Sequence, residues 1–142
     1  MKKCLLFGLF VFVMTFNVQS QTVLGKWKTI DDETGKAKSI VEVYERSGKI
    51  YGKIVEILNA EKRNAVCTKC NGTDKDAPIL GLIIIKGLVK DEEEYNDGKI
   101  LDPTNGEEYK CLIELDGKDK LKVRGFVGVA MFGRTQYWYR VK

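Results

Sequence analysis

Short stretches in which apolar and polar residues alternate make up most of the chain, and this alternation limits the fold more than any other feature. Apolar side chains at every second position are typical of β-strands with one buried face. Beyond residue 21, no window longer than about ten residues keeps the 3.6-residue period of an amphipathic helix. The alternating segments are residues 22–30, 38–46, 50–58, 81–89, 98–115, 120–128 and 134–142. The sequence therefore predicts an all-β protein of seven or eight strands.

Turn signals separate the predicted strands. Ser47-Gly48 lies between two β-rich runs, as in a tight hairpin. Within residues 98–115, Pro103 sets the backbone angle at the start of a turn and Gly106 follows just after it. This segment is therefore predicted to be a hairpin of two strands.

The alternating pattern lapses over residues 59–78, which predicts one long loop. Only residues 59–64 or 91–95 could form a short helix. A chain built almost entirely of strands must protect the edges of its sheet, either in a sandwich or in a closed barrel. Because most of the other connections are short, we expect an up-and-down antiparallel barrel of about eight strands.

Gly25 and Trp27 stand on the first predicted strand in the pattern Gly-x-Trp. The pattern resembles lipocalin-like barrels, in which such a tryptophan closes the barrel floor and an arginine of the last strand packs over the indole. The resemblance implies that Arg134 or Arg140, six residues apart on one face of the last strand, covers Trp27. A motif this short also fits an ordinary core tryptophan.

The first twenty residues have the pattern of a secretory signal peptide. Lys2 and Lys3 precede an uncharged apolar run, and Val18 and Ser20 form a small-x-small cleavage motif. The apolar run is short for a membrane span, which needs about 20 residues. Cys4 precedes the run, where a lipid-modified cysteine would have to follow it. We expect residues 1–20 to be removed and residues 21–142 to be one exported domain, periplasmic or extracellular.

Six segments, in order along the chain, form a recognisable set: "LGKWKT" (24–29), "IYGKIVEI" (50–57), "CTKCNGTDKDAPILGL" (67–82), "GKILDPTNGEEYKC" (98–111), "LKVRGFVG" (121–128) and "FGRTQYWYR" (132–140). Together they resemble the secreted bacterial family catalogued as domain of unknown function 2147. The resemblance implies a small exported domain with a barrel-like fold. It implies no established reaction and no catalytic residues.

Three cysteines remain beyond the predicted signal peptide, and an oxidising compartment favours a disulfide between two of them. A Cys67–Cys70 bond closes a tight ring worth about 2 kcal/mol, whereas Cys111 as the alternative partner closes a loop worth about 4 kcal/mol. We favour Cys67–Cys70 because the two thiols are close in sequence and the following Asn71-Gly72 can adopt a left-handed turn.

The same cysteines have two catalytic or metal-binding alternatives. Thiol–disulfide exchange at Cys67–Cys70 would normally need a helix N-terminus beside the cysteines, and the sequence predicts a loop there. A zinc site of three thiolates and an acid such as Asp74 would be atypical. The chain has no histidine, which excludes a Ser-His-Asp triad. We predict no catalytic residues, no metal and no cofactor.

Aromatic and cationic residues near the C-terminus suggest a ligand site. Trp138 shares a face of the last strand with Arg140, and Arg124 and Phe126 share a face of the preceding strand. If these faces line the barrel, the cavity suits a small amphipathic anion such as a fatty acid. The alternative is a filled barrel, because eight strands leave room only for side chains or one small ligand.

These observations predict a noncatalytic exported β-barrel that binds a small apolar or amphipathic ligand in the cell envelope. The alternatives are a structural or protein-interaction module with a filled core and, less favoured, thiol–disulfide exchange. Without Lys2 and Lys3 the chain keeps 22 basic and 20 acidic residues, interspersed along its length. This near-neutral mixture does not predict a nucleic-acid partner, and the protein partner, if any, is not indicated.

Overall fold

The computed structural model describes residues 8, 11–14, 22–129 and 131–142. Most of the predicted signal peptide, residues 1–20, lies outside the described residues. Within the described ranges, no helix has the length and apolar character needed to cross a bilayer.

The described chain forms a closed antiparallel barrel in which each strand pairs with the next and the last pairs with the first. The strands are β1 (Gly25–Ile30), β2 (Ala37–Arg46), β3 (Lys49–Ile57), β4 (Ile83–Asp91), β5 (Glu94–Asp102), β6 (Glu107–Leu115), β7 (Lys120–Phe126) and β8 (Gly133–Arg140). Closure is made by Trp27 opposite Arg140 and Lys28 opposite Tyr139. The predicted up-and-down barrel of about eight strands is confirmed.

The up-and-down order gives the barrel two different ends. The β2–β3, β4–β5 and β6–β7 turns lie at the end where Trp27 meets Arg140, which we call the tryptophan end. The β1–β2, β5–β6 and β7–β8 turns and the long β3–β4 connection lie at the other end, which we call the loop end. Short 3₁₀ turns occur in the long loop at Ala60–Lys62 and Gly72–Asp74. Residues 91–95, the alternative place for a helix, form part of the β4–β5 hairpin instead.

The alternation seen in the sequence decides which side chains fill the barrel. On β7, Leu121 and Val123 are buried while their neighbours are partly exposed. Leu121 lies opposite Trp138 of β8, and directly opposite residues share a face of the sheet, so both point inward. The buried core comprises Val23, Trp27, Val41, Val43, Ile50, Ile54, Ile57, Cys67, Cys70, Leu82, Ile84, Ile85, Leu88, Leu101, Cys111, Ile113, Leu121, Val123 and Trp138.

The long β3–β4 loop adds a second layer outside the barrel. Ile100 points inward, since a Cβ built on Gly125 of β7 would lie 3.4 Å from its side chain. Its neighbour Leu101 must then point outward, because successive side chains of a strand alternate. Leu101 is nevertheless buried, and it lines a groove together with Asn71 and Asp74 of the loop. The loop therefore covers apolar surface that the barrel leaves outside.

Backbone hydrogen bonds hold this loop in a compact shape. The amide of Cys67 donates to the carbonyl oxygen of Ala77 at 2.8 Å, and the amide of Asp76 donates to that of Cys67 at 2.9 Å. The loop touches the β5–β6 turn at Gly106, which has a φ of +74°. A Cβ built on Gly106 would collide with the carbonyl oxygen of Lys69.

We expect Gly106→Ala to destabilise the protein by about 2–4 kcal/mol, because it adds backbone strain at positive φ and forces the loop away from the turn. Gly117→Ala is the matched control: Gly117 has a φ of +78° but open space around it. Urea unfolding should show the smaller loss for the control. Equal losses would contradict the proposed contact between the turn and the loop.

Candidate functional site

Trp27 and Arg140 close the tryptophan end of the barrel. Trp27 has no exposed surface, and its indole Nε1 donates to the carbonyl oxygen of Val23 at 2.9 Å. The guanidinium carbon of Arg140 lies 4.3 Å from the centroid of the indole ring. A cation in this position adds about 0.5–2 kcal/mol to the gain from burying the ring. The structure thus brings together the tryptophan of the Gly-x-Trp pattern and one of its two predicted partners.

The same guanidinium joins three segments of the chain. Its Nε donates to the carbonyl oxygen of Lys118 at 2.8 Å, and its two terminal nitrogens donate to those of Leu24 at 3.0 Å and Thr22 at 2.8 Å. Gly25 has a φ of +126°, and a Cβ there would lie 3.1 Å from a terminal nitrogen of Arg140. A side chain at position 25 would therefore be strained by this backbone angle and would crowd the guanidinium.

Arg134, the other predicted partner of Trp27, lies elsewhere and the assignment is corrected. It is on the same face of β8 as Arg140, but six residues along a strand correspond to about 20 Å. Its side chain is 64% exposed at the loop end and forms an ion pair with Asp32. Gln136 also donates to that carboxylate, at 3.0 Å. Arg134 therefore connects two loop-end segments and does not cover the tryptophan.

The predicted ligand-binding residues do not share one surface. Trp138 points into the barrel, where it is buried. Arg124 lies opposite Thr135 of β8, and its guanidinium donates to the Thr135 hydroxyl at 2.8 Å. Because the adjacent Val123 points inward and successive side chains of a strand alternate, Arg124 faces outward. Phe126, two residues on, is on that same outer face. The prediction that these three residues line one cavity is wrong, because Leu121 and Val123 occupy the inner face of β7 and its even-numbered residues point outward.

Apolar side chains fill the interior of the barrel. Val41, Ile85, Leu88, Ile113 and Leu121 have no exposed surface. A ligand cavity of a few hundred cubic ångströms would leave accessible area on the side chains that line it. The arrangement instead resembles the packed interior expected of a small eight-stranded barrel.

The inward-pointing Trp138 has one unusual feature. Its indole nitrogen is buried, and among the described residues no acceptor is within hydrogen-bonding distance. An unpaired buried donor is costly, so this N–H is a place where a small acceptor could bind inside the barrel.

Two grooves lie on the outside of the barrel. A groove of about 260 Å³ runs between the β3–β4 loop and the β5–β6 hairpin, and it is lined by Asn71, Asp74, Leu101, Gly106, Glu107 and Glu108. A groove of about 330 Å³ at the tryptophan end is lined by acidic side chains, those of Asp91, Glu92, Glu93, Glu94 and Glu114.

A lysine neutralises acids of the first groove. Lys86 Nζ lies 2.7 Å from an oxygen of Asp74 and 2.9 Å from an oxygen of Glu108. Desolvation lowers the pKa of Lys86, but the hydrogen bonds to Asp74 and Glu108 outweigh it and the net shift is upward. Asp74, considered above as a zinc ligand, is therefore held in an ion pair with a lysine.

The structure joins Cys67 to Cys70, the favoured pair. Both cysteines are buried under the loop. An attacking thiolate must reach a sulfur atom in line with the disulfide, and burial blocks this access. The geometry therefore favours a structural bond over thiol–disulfide exchange.

Cys111, the alternative partner, has a free thiol inside the barrel. It lies opposite the inward-facing Gly125, on the other side of the sheet from the disulfide. Burial raises the pKa of this thiol from 9.0 to about 12. A protonated, enclosed thiol is a poor nucleophile.

We expect Arg140→Met to lower the free energy of unfolding by about 2–4 kcal/mol, because it removes the cation over Trp27 and leaves carbonyl oxygens without donors. Arg134→Met, at the exposed ion pair with Asp32, should cost less than about 1 kcal/mol. Urea unfolding followed by tryptophan fluorescence measures both. A loss for Arg134→Met as large as that for Arg140→Met would show that Arg140 has no special role.

We expect iodoacetamide to modify Cys111 slowly in the folded protein at pH 8 and rapidly in urea, because folding keeps the thiol buried and protonated. The raised pKa also affects stability. Between pH 9 and about pH 12 the unfolded thiol loses its proton and the folded one keeps it, so stability falls as the pH rises. The difference in free energy of unfolding between the natural protein and Cys111→Ala should therefore shrink above pH 9. A difference that stays constant with pH would contradict the raised pKa of the buried thiol.

Comparison with known proteins agrees with the barrel and its closure. No curated protein matches the chain. The structure is similar to protein HP1028 from the human pathogen Helicobacter pylori, which is described as belonging to the lipocalin family; the TM-score is 0.75 with 19% identity, over 85% of this chain and 84% of that chain. At this identity the likeness concerns the fold alone. Residues 25–140 match the family described as an uncharacterised protein conserved in bacteria, DUF2147, and because the match covers most of the chain, the protein belongs to the DUF2147 family.

Proposed function

We propose that this protein is an exported, noncatalytic β-barrel with a solid core that acts through its outer surface, as an interaction module of the cell envelope. Export is supported by the signal-peptide pattern of residues 1–20. The outer surface is the working part because the interior is occupied by the protein's own side chains.

The observation that carries this proposal is the filled interior. Ile85, Ile113 and Leu121 come from three different strands and have no exposed surface. Val41 of β2 and Ile113 of β6 lie four strands apart, on opposite walls of the barrel, and neither has exposed surface, so no open cavity lies beside either side chain. Opening a ligand cavity in the interior would cost packing contacts, and an empty site of that size typically destabilises a core by several kcal/mol.

A noncatalytic role is supported by the chemistry of the described side chains. The chain has no histidine for acid–base work. The disulfide and Cys111 are buried, and Asp74 and Glu108 of the groove beside the loop are paired with Lys86. None of these groups is arranged as an activated nucleophile or a general acid–base pair.

A second candidate function is the binding of a small apolar or amphipathic ligand inside the barrel. The unpaired indole N–H of Trp138 favours it, because an acceptor oxygen of a ligand would complete this buried donor. The lipocalin description of the similar Helicobacter protein fits the same use of the fold. This function requires core side chains to move apart when the ligand enters.

The two candidates differ in what the purified protein carries. Protein recovered after export, with its N-terminus read by mass spectrometry, should yield no stoichiometric lipid on organic-solvent extraction and take up no fluorescent fatty acid. Trp138→Phe removes the indole N–H and should leave this result unchanged. A retained ligand, together with weaker retention by Trp138→Phe, would overturn the solid-core proposal in favour of the second candidate.

A further inference from the structure

The β7–β8 turn exposes apolar side chains at the loop end of the barrel. Val127, Val129, Met131 and Phe132 are each more than half exposed, and we call these four residues the apolar tip. Turns are normally rich in glycine and polar residues, because their side chains face water. An exposed cluster of this kind in a soluble domain indicates a contact surface.

The turn that carries the apolar tip is held by its own backbone. The amide of Val127 donates to the carbonyl oxygen of Phe132 at 3.0 Å, and the amide of Phe132 donates to that of Val129 at 3.1 Å. Gly128 supplies a positive φ of +71°. Since the hairpin is closed by backbone bonds and the tip side chains stay outside the core, their apolar character contributes little to folding.

A row of lysines crosses three strands of the barrel wall and ends beside the apolar tip. Lys86, Lys99 and Lys110 lie directly opposite one another on β4, β5 and β6, and Lys110 lies opposite Phe126 at the end of β7. Like charges in direct opposition destabilise a sheet. Such a row is therefore expected to serve a purpose other than stability.

Only part of this positive charge is neutralised. Lys86 is bound by Asp74 and Glu108, and Lys99 lies 3.9 Å from Glu108. Lys110 instead donates to the carbonyl oxygen of Gly128, within the tip turn, at 3.3 Å. Among the described residues no carboxylate lies within 4 Å of its ammonium group, so a positive charge is presented beside the apolar tip.

We propose that the apolar tip and the neighbouring Lys99 and Lys110 dock the protein on a phospholipid bilayer that carries anionic lipids. The tip side chains enter the boundary between headgroups and acyl chains, and the ammonium groups meet lipid phosphates. This inference rests on the proposed action through the outer surface and names the partner of that surface.

The shape and charge of the site favour a bilayer over a protein. A stable protein–protein interface takes about 800 Å² from each partner, and four side chains on a protruding turn supply much less. A second copy of this chain would bring the same positive charge to a symmetric contact, so the two tips would repel each other. Docking on an anionic bilayer needs only an insertable apolar tip with positive charge beside it.

Co-sedimentation of the exported protein with vesicles tests the proposal. Vesicles of phosphatidylcholine with about 30% phosphatidylglycerol should bind the protein, and vesicles of phosphatidylcholine alone should bind it more weakly. The double variant M131S/F132S should lower the binding constant by about tenfold or more. Lys110→Gln should lower it by about fivefold, and added salt should weaken the binding of the natural protein.

Two matched variants at other sites complete the test. V89S/V141S removes two exposed apolar side chains far from the tip, and Lys118→Gln removes one exposed charge from the β6–β7 turn at the opposite end. Both should bind like the natural protein, and thermal unfolding should show that all variants are folded. These controls separate an effect of the apolar tip from nonspecific hydrophobic binding and from an effect of net charge.

Three outcomes would overturn the proposal: no binding to either vesicle, binding that the tip variants leave unchanged, or crosslinking of the tip to a protein without vesicle binding. None of them depends on whether a lipid is retained inside the barrel. Failure of the docking proposal can therefore be told apart from failure of the solid-core proposal.

Discussion

The contact between Arg140 and Trp27 joins the last strand of the barrel to the first. The guanidinium stacks 4.3 Å from the indole and binds carbonyl oxygens of the N-terminal segment and of the β6–β7 turn. A sheet without this closure would keep two open edges that can pair with other chains. Gly25 is part of the same arrangement, because its φ of +126° disfavours other residues and a Cβ there would lie 3.1 Å from the guanidinium. The closed end of the barrel thus combines a packed cation with a glycine beside it.

Because the barrel is closed and filled, its charged groups and its exposed apolar side chains lie on the outer surface. The β3–β4 loop seals Leu101 from outside, and the buried Cys67–Cys70 bond holds that loop compact. The row of lysines and the apolar tip lie on the outer wall and at the loop end. A solid core with apolar and charged residues on the outer wall suits contact with a partner there, whereas the unpaired N–H of Trp138 is the internal feature among the described residues that points to a ligand.

Much of this architecture could be predicted from local patterns. Strand positions follow from alternation with a period of two, and turn positions follow from residues such as Pro103 and Gly106, whose backbone preferences act over a few residues. The Cys67–Cys70 disulfide could be predicted for a similar reason, because the two cysteines are close in sequence. Its burial could not be predicted, because it depends on a loop packing against a distant hairpin.

The amino-acid sequence by itself determined the strands and turns, because each is encoded within a few neighbouring residues, whereas the role of Trp27 and of an arginine from the last strand was implied by the resemblance to lipocalin-like barrels. Only the tertiary structure decided that Arg140, rather than Arg134, reaches the indole, and that Arg124 and Phe126 lie outside the barrel. It also decided that Lys110 stands in line with lysines of two other strands. These outcomes depend on which face of each strand turns inward and on the register between segments far apart in sequence, and neither is encoded locally.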